Sequence, residues 1–425
     1  MKKHTDVLIC GGGIIGLTIA RELLKKGCDN IIILEKEEEI GEHASGKNSG
    51  VLHAGIYYAR DSLKARLCLK GNNLMKDYCR QRNITVFDTG KVIVSKNEAE
   101  TAVLEQLYQN AIHNGAIVEL IDVKKLKSIE PFAKTVKLAL FSPNTAVVNP
   151  RIVLNSMVRE LNDSGKVTIL KGTRFENLKG DSEIVTNNGN IRFDLFVNAT
   201  GAYSEKVAHI FDVGKHFKIL PFKGTYRKLI KEKSYIVNGN IYPVPDIRNP
   251  FLGVHFTKVA DGTVYIGPTA IPAFGRENYD FFKGADKEII QILLREGILF
   301  FTNAGFRKVA VSEPRKYFLK SFFEEIEGMI TDLNMEDILP SHKVGIRPQL
   351  VNWHTKELVM DFVVLKHKNS IHILNAVSPA FTSSMAFAEF VVDKYIALSA
   401  VSVQLSVLKK RQHLLNFLCI FLCLS

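Results

Sequence analysis

The run Gly11-Gly12-Gly13-Ile14-Ile15-Gly16 constrains this chain more than any other feature, because of what flanks it. Val7-Leu8-Ile9-Cys10 before it is a continuous apolar run, the pattern of a strand buried on both faces. Behind it Ile14, Ile15, Leu17, Thr18, Ala20, Leu23 and Leu24 recur at helical spacing as far as Gly27. A second apolar run, Ile31 to Leu34, ends in Glu35. Together these read as a β-α-β unit with the G-x-G-x-x-G spacing at Gly11, Gly13 and Gly16 and an acid about twenty residues on. Gly11 permits the tight turn, Gly13 lets a pyrophosphate approach the backbone, and Gly16 lets helix and strand pack closely. Ile14 and Ile15 open the helix whose positive end faces the diphosphate. Glu35 can accept hydrogen bonds from ribose hydroxyls, and Lys36 beside it joins the expected cofactor contacts. The motif alone does not separate NAD from FAD.

At 425 residues the chain is long enough for two domains or one large discontinuous one. Hydrophobic content of 46% and charged content of 24% are ordinary for a soluble globular protein. The net charge of +12 comes from scattered lysines, with no zinc-ligand spacing and no RNA-binding signature, so no nucleic-acid partner is expected. The charge favours anionic substrates or a membrane surface. Cys10, Cys28, Cys68, Cys79, Cys419 and Cys423 form no CxxC pair, which supports neither a metal site nor a redox dithiol. The first strand begins by Asp6, leaving no room for a secretory signal. Cytoplasmic residence is therefore the expectation, with peripheral contact on the inner membrane face, or mitochondrial residence for a eukaryotic chain that lacks its presequence. Leu414 to Leu424, polar only at Asn416 and preceded by Lys409-Lys410-Arg411, is too short to cross a bilayer as a helix and reads as an aberrant terminal extension.

The patterns along the chain alternate between two units. Helical material spans Ser62 to Arg82, a strand Lys91 to Val94, a helix Glu98 to Asn114 and a strand Ala116 to Ile121. Pro150 to Leu161 reads as helix, and short strands follow from Val167 to Val197 with a hairpin signal at Asn187-Asn188-Gly189-Asn190. Strands with Pro and Gly turns fill Leu220 to Pro268, helices fill 285–335, and a strand Ile371 to Leu374 precedes a helix from about Thr382 to Tyr395. The expected fold is α/β. A Rossmann-like nucleotide-binding domain takes 1–85, 142–215 and 340–395; a substrate domain on a mixed, largely antiparallel sheet takes 86–141 and 216–339; 396–425 is an atypical tail.

The strand ending in Asn198-Ala199-Thr200-Gly201 is similar to the second nucleotide-contacting turn of two-domain FAD oxidoreductases and tips the cofactor toward FAD, with Thr200 and Gly201 as contacts. A more specific likeness lies in Ala44-Ser45-Gly46-Lys47-Asn48-Ser49-Gly50-Val51-Leu52-His53-Ala54-Gly55-Ile56-Tyr57-Tyr58, which resembles the flavin-contacting loop of the L-2-hydroxyglutarate dehydrogenases (oxidases) of the D-amino-acid-oxidase-like superfamily. Gly239 to Asp246, Phe251 to Thr257, Gly345-Ile346-Arg347 and Asn375 to Ser384 match the same family in the same order, and the likeness ends near Tyr395. Pro348 matches the G-x-R-P form of the wider superfamily.

The resemblance implies FAD-dependent oxidation of L-2-hydroxyglutarate to 2-oxoglutarate, with electrons passed to a quinone or to oxygen. Ser45, Asn48, Ser49, Gly50 and Val51 would bond phosphate and ribityl oxygens. Pro379, Thr382 and Ser383 would bring a helix N-terminus to the flavin's pyrimidine edge. His53 or His255 would take the alcohol proton, since an imidazole titrates near neutrality. Arg347 is the candidate for gripping the α-carboxylate, Arg276 for the distal carboxylate of the dicarboxylate, and Tyr242 for a substrate oxygen.

Overall fold

The computed structural model describes residues 3–246, 251–280 and 288–396; the apolar tail Leu414 to Leu424 lies outside the described residues. β1 (Lys3–Cys10) runs parallel to β2 (Ile31–Leu34), with Val7 beside Ile31, and α1 (Ile14–Lys25) joins them. On its other edge β1 pairs in parallel with the strand Gly189–Asn198, Val7 beside Leu195. Ser370–Ile373 and Val167–Leu170 extend the same parallel sheet at either side. Leu8 and Ile9 are both fully buried, so β1 is covered on two faces, which is why its apolar run does not alternate. Leu17, Met157 and Phe387 pack over one face from three different helices, while Phe196 and Phe211 stack over the other with ring centres 4.5 Å apart.

α1 is apolar nearly all round because it is enclosed nearly all round. Ile14, Ile15, Leu17, Ile19, Ala20 and Leu23 are buried between the sheet and the helix Ala380–Tyr395. It stops at Gly27, whose φ of +89° supplies the left-handed residue that ends many helices. α2 (Leu63–Gln81) starts where Ser62 accepts from the Ala65 N–H at 3.1 Å. Asp361, far along the chain, accepts from the Leu63 and Lys64 N–H groups at 2.8 and 3.0 Å, so two carboxylate oxygens satisfy donors that helix geometry leaves open.

The second sheet is built on the strand Phe217–Leu229, paired antiparallel with Ile338–Asn352 so that Phe222 lies beside Arg347 and Gly224 beside Gly345. Val264–Gly267, His255–Lys258 and Asn240–Pro243 follow in order, and Lys91–Val94 joins in parallel, Ile93 beside Tyr242. Strand alternation splits its faces. Val92, Val94, Ile241, Phe256 and Ile266 form a core with Phe322 and Ile326 of the helix Leu319–Ile326. Tyr242, His255, Phe222 and Arg347 occupy the other face, toward the first sheet.

Two boundaries differ from the sequence expectation. The segment 340–352 belongs to the second sheet, because Ile338–Asn352 continues for its whole length along Phe217–Leu229. The strand expected from Ala116 begins only at Glu119, because the Ala116 N–H still donates to Ala111 O at 2.9 Å and closes the preceding helix. The hairpin signal is realised: Thr186 pairs with Gly189, whose φ is +103°.

Candidate active site

The glycines at the end of β1 leave no room for side chains. A Cβ at Gly11 would sit 2.4 Å from Ala199 O, one at Gly16 2.0 Å from Gly11 O, and one at Gly13 2.8 Å from Ser45 Oγ. No side chain caps α1 at Gly13, and the Ile14 N–H donates to Ser45 Oγ at 3.0 Å. From this bare helix N-terminus one cavity runs past Ala44, Ser45, Asn48 and Ser49 to His53, and is closed at its far end by Ala376 to Thr382, where the helix Ala380–Tyr395 also begins with no side-chain cap. A glycine cradle with two uncapped helix N-termini along one cleft suits a long ligand carrying a diphosphate at one end and an electron-accepting ring at the other, which fits FAD.

The expected cofactor residues take different places around this cleft. Gly13, Ile14, Ile15, Ser45, Asn48, Ser49, Val51, Gly201, Pro379 and Thr382 line it. Glu35 is fixed at the end of β2 by accepting from the Gly12 and Glu37 N–H groups at 3.2 and 3.0 Å. Thr200 donates its hydroxyl to Asn198 Oδ1 at 2.7 Å. The loop is self-bonded: Asn48 Nδ2 donates to Ser45 O at 2.7 Å, Asn48 Oδ1 accepts from the Gly50 N–H at 2.8 Å, and Ser49 Oγ accepts from the Val51 N–H at 3.3 Å. Asn48 and Ser49 therefore shape the loop as well as line the cleft. Thr382 Oγ1 accepts from the His53 N–H at 3.2 Å and donates to Val51 O at 3.3 Å, tying the last helix to the loop. Ser383 Oγ is buried beside the Cys68 thiol. Lys36 is held by Glu277 at 2.7 Å and by Glu37, and Glu37, His43 and Glu277 gather around it, so the cation in that acidic cluster is an ammonium.

His53, Tyr242, His255 and Arg347 line the same cavity. His53 is buried and its Nδ1 has no partner. Burial, then the charge of Lys91 and the neighbouring His255, hold its pKa well below the ordinary 6.5, so the ring is neutral and able to accept a proton. His255 Nδ1 donates to Gly253 O at 2.9 Å, which leaves Nε2 as the acceptor. Burial pushes its pKa down to about 3. Arg347 is half-buried with its guanidinium 4.9 Å from the centre of the Phe251 ring; among the described residues its buried Nε has no partner and no carboxylate pairs with it. Burial draws even this guanidinium down to about 10.

Arg276 does not reach the cavity. Its guanidinium is buried between Glu205 and Glu288, with contacts to Glu205 Oε2 at 2.8 Å and Glu288 Oε1 at 2.7 Å and a further bond to Ala202 O, so both faces of the fork are occupied. A Phe-Gly-Arg-Glu sequence carries no sign of this, because Glu205 comes from the distant helix Ser204–Ile210 and Glu288 from just before the helix Ile289–Thr302. Sequence reasoning also passed over Asn72, whose Nδ2 donates to Leu52 O and His53 O at 3.0 Å each and so fixes the His53 backbone. Lys91 was read only as the start of a strand, yet it is buried among the same aromatic groups. A lysine on the inward parity of an apolar strand was the available signal.

Residues 6–394 match the family described as DAO, FAD dependent oxidoreductase. L-2-hydroxyglutarate dehydrogenase, mitochondrial, of Bos taurus is 34% identical over 92% of this chain and 88% of its own length. L-2-hydroxyglutarate dehydrogenase of Indibacter alkaliphilus is 34% identical over 91% of this chain and 98% of its own. Among solved structures, the dithionite-reduced L-alpha-glycerophosphate oxidase of Mycoplasma pneumoniae with FAD bound superposes with a TM-score of 0.72 at 22% identity, over 91% of this chain and 93% of that one. Glycine oxidase of Geobacillus kaustophilus superposes at 0.67 and 18% identity, covering 92% and 94%.

Proposed function

We propose, since this chain belongs to the FAD-dependent oxidoreductase family, that it oxidises L-2-hydroxyglutarate to 2-oxoglutarate. The observation that carries the reading is a half-buried, carboxylate-free arginine that lines the same cavity as two neutral imidazoles. The substrate named for relatives at 34% identity over almost the whole described chain agrees with it.

The glycine turn, Ser45 and the N-terminus of Ala380–Tyr395 would hold FAD, which would supply hydride-accepting chemistry at the cavity. The chain's own residues do the rest. Arg347 binds the α-carboxylate through its planar fork, which orients the C2–H bond. His53 takes the hydroxyl proton at Nδ1 as the carbonyl forms. Phe222, Tyr242 and Phe251 wall the site with aromatic surface and exclude water, which strengthens each of these contacts.

For the electron acceptor, the reading favours a quinone reached at a membrane surface. No single helix among the described residues is long and apolar enough to cross a membrane. The helix Ile289–Thr302 instead presents Ile290, Leu294, Ile298 and Phe301 to solvent, Ile290 at 67% and Phe301 at 79% exposure, with exposed Arg307, Arg315 and Lys320 following along the chain. Apolar side chains at helical spacing with basic neighbours suit a peripheral seat on an anionic bilayer. Co-sedimentation with phosphatidylserine vesicles that is lost in an Ile290→Glu, Phe301→Glu variant is expected; undiminished binding would remove this surface from the reading.

Anaerobic mixing with enantiopure 2-hydroxyglutarate, followed by flavin absorbance, tests cofactor, substrate and handedness together. The L enantiomer is expected to bleach the flavin. Bleaching only by amino acids would replace the substrate with an amine.

A further inference from the structure

A diacid carries two carboxylates, and Arg347 accounts for one. With Arg276 committed to Glu205 and Glu288, a second cation must come from elsewhere. Strand alternation sends Val92 and Val94 into the core with Phe322, and sets Lys91 with Ile93 on the opposite face, where Ile93 packs with Tyr242. Lys91 is 1% exposed, and its ammonium lies 4.5 Å from the centre of the Tyr57 ring and 4.9 Å from that of Tyr242. Among the described residues Lys91 Nζ has no hydrogen-bond partner and no carboxylate. The Tyr57 hydroxyl and His53 Nδ1 are likewise buried without partners, and the Tyr242 hydroxyl faces Thr257. An unpaired buried ammonium is costly, and this one lies against Tyr242, which lines the cavity, so the ammonium and the Tyr57 hydroxyl describe a place built to receive an anion.

We propose that Lys91, with the Tyr57 and Tyr242 hydroxyls, binds the distal carboxylate of the substrate and thereby selects dicarboxylates. The inference rests on the hydroxy-diacid reading given above. The strand Lys91–Val94 is paired on both edges, with Asn240–Pro243 and Leu138–Ser142, so the backbone that carries the ammonium is held in place. Burial brings the Lys91 pKa down to about 7, with the Cys68 thiol opposing. Arrival of a carboxylate would restore its charge. The Lys91 charge also depresses both His53 and His255, so pairing that ammonium with a substrate carboxylate offsets its field and raises the basicity of His53 when the diacid is in place.

The test titrates FAD-loaded enzyme with glutarate and with butyrate, following the perturbation of the flavin spectrum, which requires binding but not turnover. Lys91→Met is expected to weaken glutarate by about 10- to 100-fold, the value of one charge-assisted bond, and to leave butyrate within a factor of about three. Lys91→Arg, which keeps the charge, is expected to retain the preference for glutarate. Equal losses for both acids, or no loss, would overturn the assignment and leave Lys91 as packing over two rings. If Lys91→Met does not retain FAD, Lys91→Gln gives the same contrast. Should L-2-hydroxyglutarate fail to reduce the wild-type flavin, the substrate reading falls, while the glutarate–butyrate contrast still decides the role of Lys91.

Discussion

Tyr242 lies flat on His255, the ring centres 3.7 Å apart and the planes 15° from parallel. With Nδ1 bonded to Gly253 O as well, the His255 ring cannot turn, whereas His53 keeps an unpartnered Nδ1. The two imidazoles therefore differ in task. His53→Asn is expected to slow anaerobic flavin reduction by about 10²- to 10⁴-fold at saturating substrate, the usual worth of a general base. His255→Asn is expected to cost less than about tenfold by the same measure. Stopped-flow absorbance reads both, and the reverse ranking would make His255 the base.

The acid limb of the pH–rate profile follows from His53. Burial first, then Lys91 and His255, lower its pKa from 6.5, so the neutral, proton-accepting form persists as the pH falls through that value. kcat/KM is expected to stay level through pH 6.5 and to drop only well below it. Removing the Lys91 charge should move the drop toward higher pH. A wild-type limb centred at 6.5 would contradict the burial of this ring.

Arg276 becomes a test of stability. Breaking a buried ion pair by removing one partner typically costs about 3–5 kcal/mol, because the remaining charges stay buried. Arg276→Ala is expected to lower the unfolding free energy by that order while leaving the rate per bound flavin within about twofold. Although burial pushes Glu288 up, Arg276 and then Lys206 hold it down to about 2. Its contribution is thus present above the ordinary carboxylate pKa and lost as the pH falls toward 2. Denaturant melts of wild type and variant should converge in acid; curves that stay parallel would separate Glu288 from the effect.

Two glycine variants should differ in kind. At Gly16 a methyl would sit 2.0 Å from the Gly11 carbonyl, backbone that cannot yield, so Gly16→Ala is expected to destabilise the fold by about 1–3 kcal/mol or more. At Gly13 it would meet Ser45 Oγ at 2.8 Å, a side chain that can swing aside. Gly13→Ala should fold, yet weaken FAD by at least about tenfold, since the Ile14 N–H loses its fixed partner and the diphosphate its close approach. Apoprotein melting and FAD titration distinguish the two.

How legible was all this in the sequence? The nucleotide unit was, because β1, α1 and β2 are adjacent in the chain and each glycine has a local steric reason. The later strands were also legible, since apolar strand patterns reappear near Val197 and Ile371, and both join the sheet of β1. The extent of Ile338–Asn352 was not: a strand's sheet is chosen by its partner, and Phe217–Leu229 lies far away in sequence. The failure at Arg276 has the same origin, because burial of a cation depends on acids that only tertiary packing brings near. Asn72 was invisible for the opposite reason, as an asparagine on an amphipathic helix gives no hint that its amide will brace the backbone of His53.

The parallel sheet draws its strands from the opening, the middle and the last part of the chain, and the helix Ala380–Tyr395 both closes the cleft and packs on α1. During synthesis the glycine turn therefore leaves the ribosome long before the elements that complete it, and the cleft cannot close around a cofactor until Ala380–Tyr395 has followed. A premature stop before Ala380 is expected to leave the protein colourless, as a lesion in the glycine turn would.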